Sequence, residues 1–194
     1  MSAEPRLVLA SASPRRLDLL RQIGLVPDAI EAAELDETPQ REETPRQLAL
    51  RLAAAKAAHV AARTPSAFVL GADTVVAVGR RVLPKAVDAE EVRHCLALLS
   101  GRAHRVLTGV AVVAPDGRVA SRLVESRVHF KRLSEADLAA YLACGEGVGK
   151  AGGYAIQGRA GALVISLQGS YSGVVGLPLY ETANLLTGLG FRWP

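Results

Sequence analysis

The chain has 194 residues, of which 49% are hydrophobic and 22% charged, a composition typical of a soluble globular protein with a full apolar core. Its formal net charge of +4 suggests an anionic partner, but aromatic residues make up only 4%, which argues against the stacking surfaces of single-strand nucleic-acid binders. The longest apolar runs are too short to span a bilayer, residues 1–10 lack a signal-peptide pattern, and two cysteines without a CxxC pair argue against a disulfide framework or a zinc site. We therefore expect a cytoplasmic protein whose partner is a small phosphorylated molecule.

Hydrophobic periodicity and turn residues predict a single α/β domain over residues 1–194, with a mixed, twisted sheet. Capping residues mark several helix starts; for example, Thr44 to Gln47 has the pattern of a capping box. The predicted elements, in chain order, are strand 6–10, helix 14–22, strand 28–33, helix 45–63, strand 67–72, hairpin 75–83, helix 89–99, strands 104–113 and 118–130, helix 135–143, strand 162–169 and helix 178–189.

The junction between the first strand and the first helix has the features of an anion site. Pro14 opens the helix, and Arg15 and Arg16 follow it directly, although cations are disfavoured at a helix N-terminus. Backbone N–H groups, the hydroxyls of Ser11 and Ser13 and the two guanidinium groups could together bind phosphate, which would offset that placement. Taken alone, the same pattern also fits a capped surface helix with solvated arginines.

Acidic residues near this junction are candidate ligands for a metal ion. The pattern puts Asp73 at the end of a short apolar strand, where a carboxylate is costly to bury unless it is paired or binds a metal. A strand-end aspartate beside a phosphate site commonly holds Mg²⁺, and the acidic loop at 34–43 offers Asp36 and Glu37 as further oxygen ligands. The alternatives are a turn or capping role for Asp73 and a solvated loop for the other two.

The glycine-rich segment 145–158 resembles a nucleotide-binding loop but fails both common patterns. Ala151 stands where a P-loop needs Ser or Thr, and Lys150 occupies the third glycine of GxGxxG. The segment can still approach a ligand closely and present Lys150 and Gln157 to it. Most basic residues of this chain are arginines, so the few lysines could mark sites that require a compact ammonium group. For any single lysine, its presence by chance is an equally good explanation. They are Lys56, Lys85, Lys131 and Lys150.

Seven segments, in this order along the chain, resemble the Maf family of nucleoside triphosphate pyrophosphatases. They are LASASPRR, LDET, LAAAKA, GADTVV, LSGRAHRVLTGV, GKAGGYAIQG and GSYSGVVGLPL. The resemblance implies a Maf/ITPase-like fold, with a central mixed sheet and two lobes around a cleft, often as a homodimer. It also implies a house-cleaning enzyme that uses Mg²⁺ or Mn²⁺ to hydrolyse a nucleoside triphosphate to the monophosphate and pyrophosphate.

The resemblance also implies a role for each matching residue, with Asp73 as the proton acceptor and Glu37 as an acidic residue of the metal site. Together with the strand-end argument above, this makes Glu37 and Asp73 the candidate metal ligands. By motif position, Ser11, Arg15 and Arg16 belong to the family's triphosphate loop, and Lys56 and Lys85 contact phosphate. The residue patterns described above add Ser13 and Lys150 as candidate phosphate-binding residues. Arg15, Thr74 and Gln157 resemble the branch that acts on dTTP and UTP, whereas the branch acting on 7-methyl-GTP carries different residues there. One departure, LPKAVD where the family shows Gly-Lys-Pro, leaves the contact of Lys85 open.

Two other functions remain possible at this point. The family name comes from inhibition of septum formation, so a nucleotide-binding regulator of cell division is one alternative. The complete acidic and basic set favours an enzyme, because a sensor would not need Asp73. A nucleic-acid-binding protein is disfavoured by the scarce aromatic residues and the dispersed arginines.

Overall fold

The computed structural model describes residues 6–192, which form one seven-stranded sheet with helices on both faces. The strands are β1 (Arg6–Ala10), β2 (Ala29–Ile30), β3 (Ala67–Val78), β4 (Arg81–Leu83), β5 (Ala103–Val113), β6 (Val119–Phe130) and β7 (Val164–Gln168). The helices are α1 (Pro14–Gln22), α2 (Pro45–Ala61), α3 (Ala89–Leu99), α4 (Glu135–Cys144), α5 (Tyr171–Val175) and α6 (Leu179–Gly188), and a 3-10 turn spans Arg159–Leu163. Within the described range, no helix is both long and apolar enough to cross a bilayer.

The sheet has the order β2-β1-β3-β5-β6-β7, with β4 also paired to β3. Strand β1 runs parallel to β2 and β3, whereas the pairs β3–β4, β3–β5, β5–β6 and β6–β7 are antiparallel. Helix α2 covers one face, and apolar side chains from the other helices pack with the opposite face in the main core. The predicted α/β fold with a mixed sheet is therefore confirmed.

Strand β3 has a gap between two partners along one of its edges. Strand β5 pairs with β3 continuously from Val69 to Ala77, so β1 and β4 must share the other edge. On that edge β1 ends opposite Gly71, and the antiparallel strand β4 ends opposite Val76. Residues 72–75 have no strand partner there, and we call this gap the notch.

The structure corrects the predicted position of Asp73. The sequence pattern placed it at the end of a strand over 67–72, but β3 continues to Val78 and Asp73 lies in its middle, opposite Gly109 of β5. The continuous pairing with β5 joins the predicted strand and the predicted hairpin into one element. A carboxylate is tolerated in mid-strand because it lies at the notch, within reach of a cation described below.

The other differences lie at the limits of elements. The strand predicted over 28–33 contains only two residues, which pair with Val8 and Leu9 at the edge of the sheet. Helix α2 ends two residues before the predicted end at Arg63. The strand predicted from residue 162 begins with the last part of the 3-10 turn, and α5, which has five residues, was not predicted because it is too short to show a helical period.

Helix α2 lies with its backbone directly on the sheet. A Cβ atom added to Gly109 would lie 2.3 Å from the carbonyl oxygen of Ala49, and one added to Gly71 would lie 2.5 Å from that of Ala53. The two strands therefore need glycine where the helix crosses them. The buried residues of α2 recur at helical spacing, and Lys56 is one of them, so its side chain starts on the sheet-facing side.

We expect Gly109→Ala to lower the free energy of unfolding by about 1–3 kcal/mol, because its methyl group would press on helix backbone that cannot move independently. Urea denaturation followed by circular dichroism measures this. Gly188→Ala is the matched control: apart from the backbone of its own helix, no atom lies within 4 Å of the added Cβ, so stability should stay equal or rise. An unchanged stability for Gly109→Ala would show that α2 can move away from the sheet at little cost.

Candidate active site

A cavity of about 520 Å³ lies at the notch, and a second cavity of about 340 Å³ adjoins it. Asp73, Thr74 and Gln157 line the larger cavity, whereas Ser11 lines the smaller one. The wall that both cavities share consists largely of charged side chains. The predicted site residues in it are Ser13, Arg15, Arg16, Glu37, Lys56, Lys85 and Lys150.

All the residues assigned to the site by motif position thus lie around these two cavities. Asp36, the further candidate ligand, does not. Its side chain is exposed and accepts a hydrogen bond of 2.9 Å from the backbone N–H of Thr38, and hydrogen bonding to Thr38 lowers its pKa. Of these two candidate ligands from the loop, only Glu37 lines the site.

Lys56 lies between two carboxylates. Its Nζ is 2.6 Å from Oε1 of Glu37 and 2.6 Å from Oδ1 of Asp73. Lys56 and Asp73 are both buried, with 9% and 7% of their surfaces exposed, so each charge depends on the other for compensation. Partial burial raises the pKa of Glu37, but the hydrogen bond and charge of Lys56 outweigh this effect and hold the pKa below its ordinary value.

Arg16 is held by a fixed set of acceptors. Its Nε donates to the backbone carbonyl of Gly176 at 2.8 Å, and its Nη1 donates to Oγ of Ser11 at 2.9 Å. Nη2 lies 3.5 Å from Oγ1 of Thr74 at the notch. Burial lowers the pKa of the guanidinium, whereas attraction to Asp73 raises it. Arg16 therefore joins the loop before α1, the notch and the segment after α5.

Arg15 has a different environment from its neighbour. Its Nε is buried and has no hydrogen-bond partner among the described residues. Burial lowers the pKa of Arg15, and burial followed by repulsion from Arg15 and Lys85 lowers the pKa of Lys150. A buried donor without an acceptor, close to cations that repel one another, indicates a site that is completed by an anion.

The position of Lys85, left open by the sequence, is set by backbone pairing with the glycine-rich segment. Lys85 forms a β-bridge with Ala151, and the N–H of Ala86 donates to the carbonyl of Lys150 at 3.1 Å. The N–H of Gly152 donates to the carbonyl of Pro84 at 2.9 Å. The unusual residues on both sides of Lys85 therefore keep it at the wall that the two cavities share.

Gln157 lies on an exposed turn that neighbouring residues hold in place. Its side chain makes no hydrogen bond with another residue in the described range, so its amide is free to meet a ligand. Oε2 of Glu146 accepts from the N–H of Arg159 at 2.7 Å, directly after the turn. On the other side, the hydroxyl of Tyr154 and Nε2 of His104 are 2.7 Å apart.

Three residues that hold the site together were not found from the sequence. Thr108 donates to the carbonyl of Gly173 at 2.7 Å, and its Oγ1 is 3.1 Å from that of Thr74. His104 and Glu146 support the segment that carries Gln157. A threonine or histidine within an apolar alternating strand gives no signal of its partner, because that partner lies in a distant part of the chain.

Comparisons with known proteins place similar sequences in one family. A family model described as Maf-like protein matches residues 6–189. A protein of Caulobacter vibrioides named dTTP/UTP pyrophosphatase is 66% identical over 192 residues, which cover 99% of this chain and 100% of the relative. A protein of the same name from Maricaulis maris is 63% identical, and the match covers 96% of this chain and 89% of the relative. Another, from Hyphomonas neptunium, is 58% identical, and the match covers 99% of this chain and 100% of the relative.

The buried side chain of His104 makes the stability of the folded protein depend on pH. Burial, with a smaller effect from the charge of His129, lowers the pKa of His104 to about 4 from an ordinary value of 6.5. Below pH 6.5 the unfolded chain therefore binds a proton that the folded chain does not, and stability falls as the pH is lowered towards 4. We expect protonation of His104 in the unfolded chain to lower the free energy of unfolding by about 2–3 kcal/mol between pH 7 and pH 4.5.

The measurement is the free energy of unfolding in urea at pH 7, 6, 5 and 4.5. Carboxylates also contribute to the profile, so the wild type is compared with His104→Asn, whose profile should be flatter by the stated amount. His94→Asn is the control, since His94 is exposed and its loss should leave the slope unchanged. Parallel profiles for the wild type and His104→Asn would contradict the expectation.

Proposed function

The chain belongs to the Maf family, and from this membership we propose that it hydrolyses dTTP and UTP to the monophosphates and pyrophosphate. The observation that carries the proposal is the name of the relatives. Three proteins that are 58–66% identical over nearly the whole chain are all named dTTP/UTP pyrophosphatase. The convergence of the motif residues on two adjoining cavities supports it. The roles given to individual residues below are part of the same proposal.

The triphosphate would lie along the wall that the two cavities share. The smaller cavity includes the N-terminus of α1, whose backbone N–H groups favour an anion, and the hydroxyl groups of Ser11 and Ser13. Arg15, Lys85 and Lys150 have charge available for phosphate oxygens. Arg16 is already bonded to Ser11 and Gly176, so it would bind phosphate only with the hydrogens that these acceptors leave free.

The base would occupy the larger cavity. Its apolar lining includes Val76, Val106 and Ile156, which suit the faces of a pyrimidine ring, and Gln157 lies at its border. Uracil and thymine present the O4 acceptor beside the N3–H donor. A primary amide can donate to the first and accept from the second, whereas a carboxylate can only accept.

The residues at the notch fit a divalent cation. Oxygen atoms of Glu37 and Asp73 converge on one point, now held by the ammonium of Lys56, and carboxylate oxygens are suitable ligands for Mg²⁺. No group of three or more acidic, histidine or cysteine side chains that could hold a metal is found in residues 6–192. The protein would therefore supply two carboxylates, and phosphate oxygens and water would complete the shell, as is usual for Mg²⁺. When bound, the ion would polarise the phosphoryl oxygens and lower the pKa of a coordinated water.

The chain's own residues would position the reactants and move one proton. Water attacks the α-phosphorus, the bond from this phosphorus to the oxygen that bridges to the β-phosphorus breaks, and pyrophosphate leaves. Asp73, buried and adjacent to cations, would take the proton from the attacking water. Arg15 and Lys85 would offset the negative charge that develops on the leaving pyrophosphate.

The proposal includes a house-cleaning role, which removes pyrimidine nucleoside triphosphates, including modified ones, before a polymerase uses them. A cytoplasmic location and a homodimeric state stay predictions from the sequence and the family resemblance. Both cysteines are free thiols, as a reducing compartment requires.

Hydrolysis of dTTP in H₂¹⁸O tests the proposed reaction and the atom attacked. We expect TMP and pyrophosphate in equal amounts, with the ¹⁸O label in TMP, as measured by ³¹P NMR and mass spectrometry. Asp73→Asn should lower turnover at least about a hundredfold, which shows that the activity belongs to this site. Label in pyrophosphate would mean attack at the β-phosphorus, and release of orthophosphate with TDP would refute the proposed reaction.

Replacement of the amide at residue 157 tests the reading of the base. Gln157→Glu should lower kcat/KM for dTTP and UTP by about 5- to 150-fold, equivalent to the 1–3 kcal/mol that a polar group costs when the bound base buries it without a partner. Nucleotides with other bases should lose less. Gln168→Glu makes the same charge change at an exposed position on β7 and should leave all these values unchanged. Equal losses for every nucleotide would mean that Gln157 does not contact the base.

A further inference from the structure

The ammonium of Lys56 occupies the point at which the two carboxylates of the site converge. Each of its contacts, to Glu37 and to Asp73, is 2.6 Å long, the length of a strong charge-assisted hydrogen bond. A divalent cation that uses both carboxylates must compete with this ammonium for the same two oxygens. Two cations held on the same two oxygens would repel each other strongly, because screening by solvent is weak at a buried site.

The surroundings of Lys56 allow it to release these contacts when phosphate arrives. Lys56 is buried on the side of α2 that faces the sheet, and its Nζ contacts Glu37 and Asp73 at the wall of the cavities. A lysine side chain is flexible and carries a compact charge that can turn from one anion to another. The same wall carries Arg15, Arg16, Lys85 and Lys150, so a triphosphate would bring negative charge to the place where an ammonium could meet it.

We propose that Lys56 holds the carboxylate pair in the nucleotide-free protein and that a divalent cation replaces it only when the triphosphate binds and takes up the displaced ammonium. This inference rests on the proposed metal-dependent hydrolysis and adds an order to it: the cation enters with the nucleotide and not before it. Lys56 is then a positioning residue that keeps Glu37 and Asp73 aligned for the cation. Because the coupling between two ligands is reciprocal, Mn²⁺ and the nucleotide tighten each other's binding by the same factor.

The test measures Mn²⁺ binding directly, from the electron paramagnetic resonance signal of the free ion and by calorimetry. A dUTP analogue with an imido group between the α- and β-phosphorus prevents cleavage. Wild-type protein should bind Mn²⁺ at least about tenfold more tightly with the analogue than without it, within the usual range of coupling between sites. Lys56→Met removes the charge and keeps the length, and it should bind Mn²⁺ at least about tenfold more tightly than the wild type when no nucleotide is present.

Two controls show where the gain comes from. Lys85→Met makes the same change in net charge without a contact to either carboxylate, so its nucleotide-free Mn²⁺ affinity should rise much less. The double variant Lys56→Met/Asp73→Asn should lose the gain, because it removes one of the two ligands. Lys56→Gln, which keeps a hydrogen-bond donor beside Asp73, replaces Lys56→Met if that variant does not fold, and thermal melting of each variant establishes that it is folded.

Equal nucleotide-free Mn²⁺ affinities for the wild type and folded Lys56 variants would overturn the inference, as would a gain that Lys85→Met reproduces in full. The same holds if the analogue fails to tighten Mn²⁺ binding to the wild type. Failure of the proposed function gives a different result. In that case dTTP is not cleaved to TMP and pyrophosphate, whereas Lys56→Met still binds Mn²⁺ more tightly than the wild type.

Discussion

The close contact between α2 and the sheet is the constraint on which the site depends. Glycine at residues 71 and 109 lets the helix backbone lie against β3 and β5, with no side-chain layer between them at these points. At this distance a lysine on the sheet-facing side of the helix reaches the carboxylate of Asp73 in mid-strand. With a larger residue at either glycine, the helix would stand further from the sheet, and the buried lysine and aspartate would each lose the partner that makes their burial tolerable.

The notch provides the second condition, because it lets ligands reach a strand in the middle of the sheet. A central strand normally has both edges occupied, and its backbone and side chains are then closed to ligands. Here β1 and β4 pair with the same edge of β3, and four residues of β3 separate the two pairings. Alternate side chains of these four residues point to opposite faces of the sheet, so Asp73 meets Lys56 on one face and Thr74 meets Arg16 and Thr108 on the other. The notch thereby presents a carboxylate on one face of the sheet and a hydroxyl group that binds Arg16 on the other.

The sequence predicted the features that neighbouring residues determine. The capping box at Thr44 forms as expected, and Gly79 and Arg80 form the two-residue turn of the hairpin between β3 and β4, because each depends on residues a few positions apart. The mid-strand position of Asp73 could not be predicted in this way, since it depends on pairing with β5, which follows about thirty residues later.

Distant contacts limit what could be predicted of the site for the same reason. The motif resemblance assigned its residues to one site, but their partners come from parts of the chain that no local pattern connects. The motif singled out Glu37 over Asp36 without a physical reason, and the path of the loop supplies it: Glu37 reaches Lys56, whereas Asp36 caps its own turn. Thr108 gave no signal, because its partners, the carbonyl of Gly173 and the hydroxyl of Thr74, lie in distant parts of the chain.

The bond from Arg16 to the carbonyl of Gly176 joins residues 160 positions apart. During synthesis on the ribosome, the loop before α1 emerges early, whereas its acceptor emerges near the end of translation. Contacts of such long sequence separation form late in folding, since the loop they close is entropically expensive. A nascent chain that has completed β1, α2 and β3 therefore contains Lys56 and Asp73 but has no fixed position for Arg16. Competence to bind a triphosphate would then arise in a single late step, when the last quarter of the polypeptide folds onto the sheet.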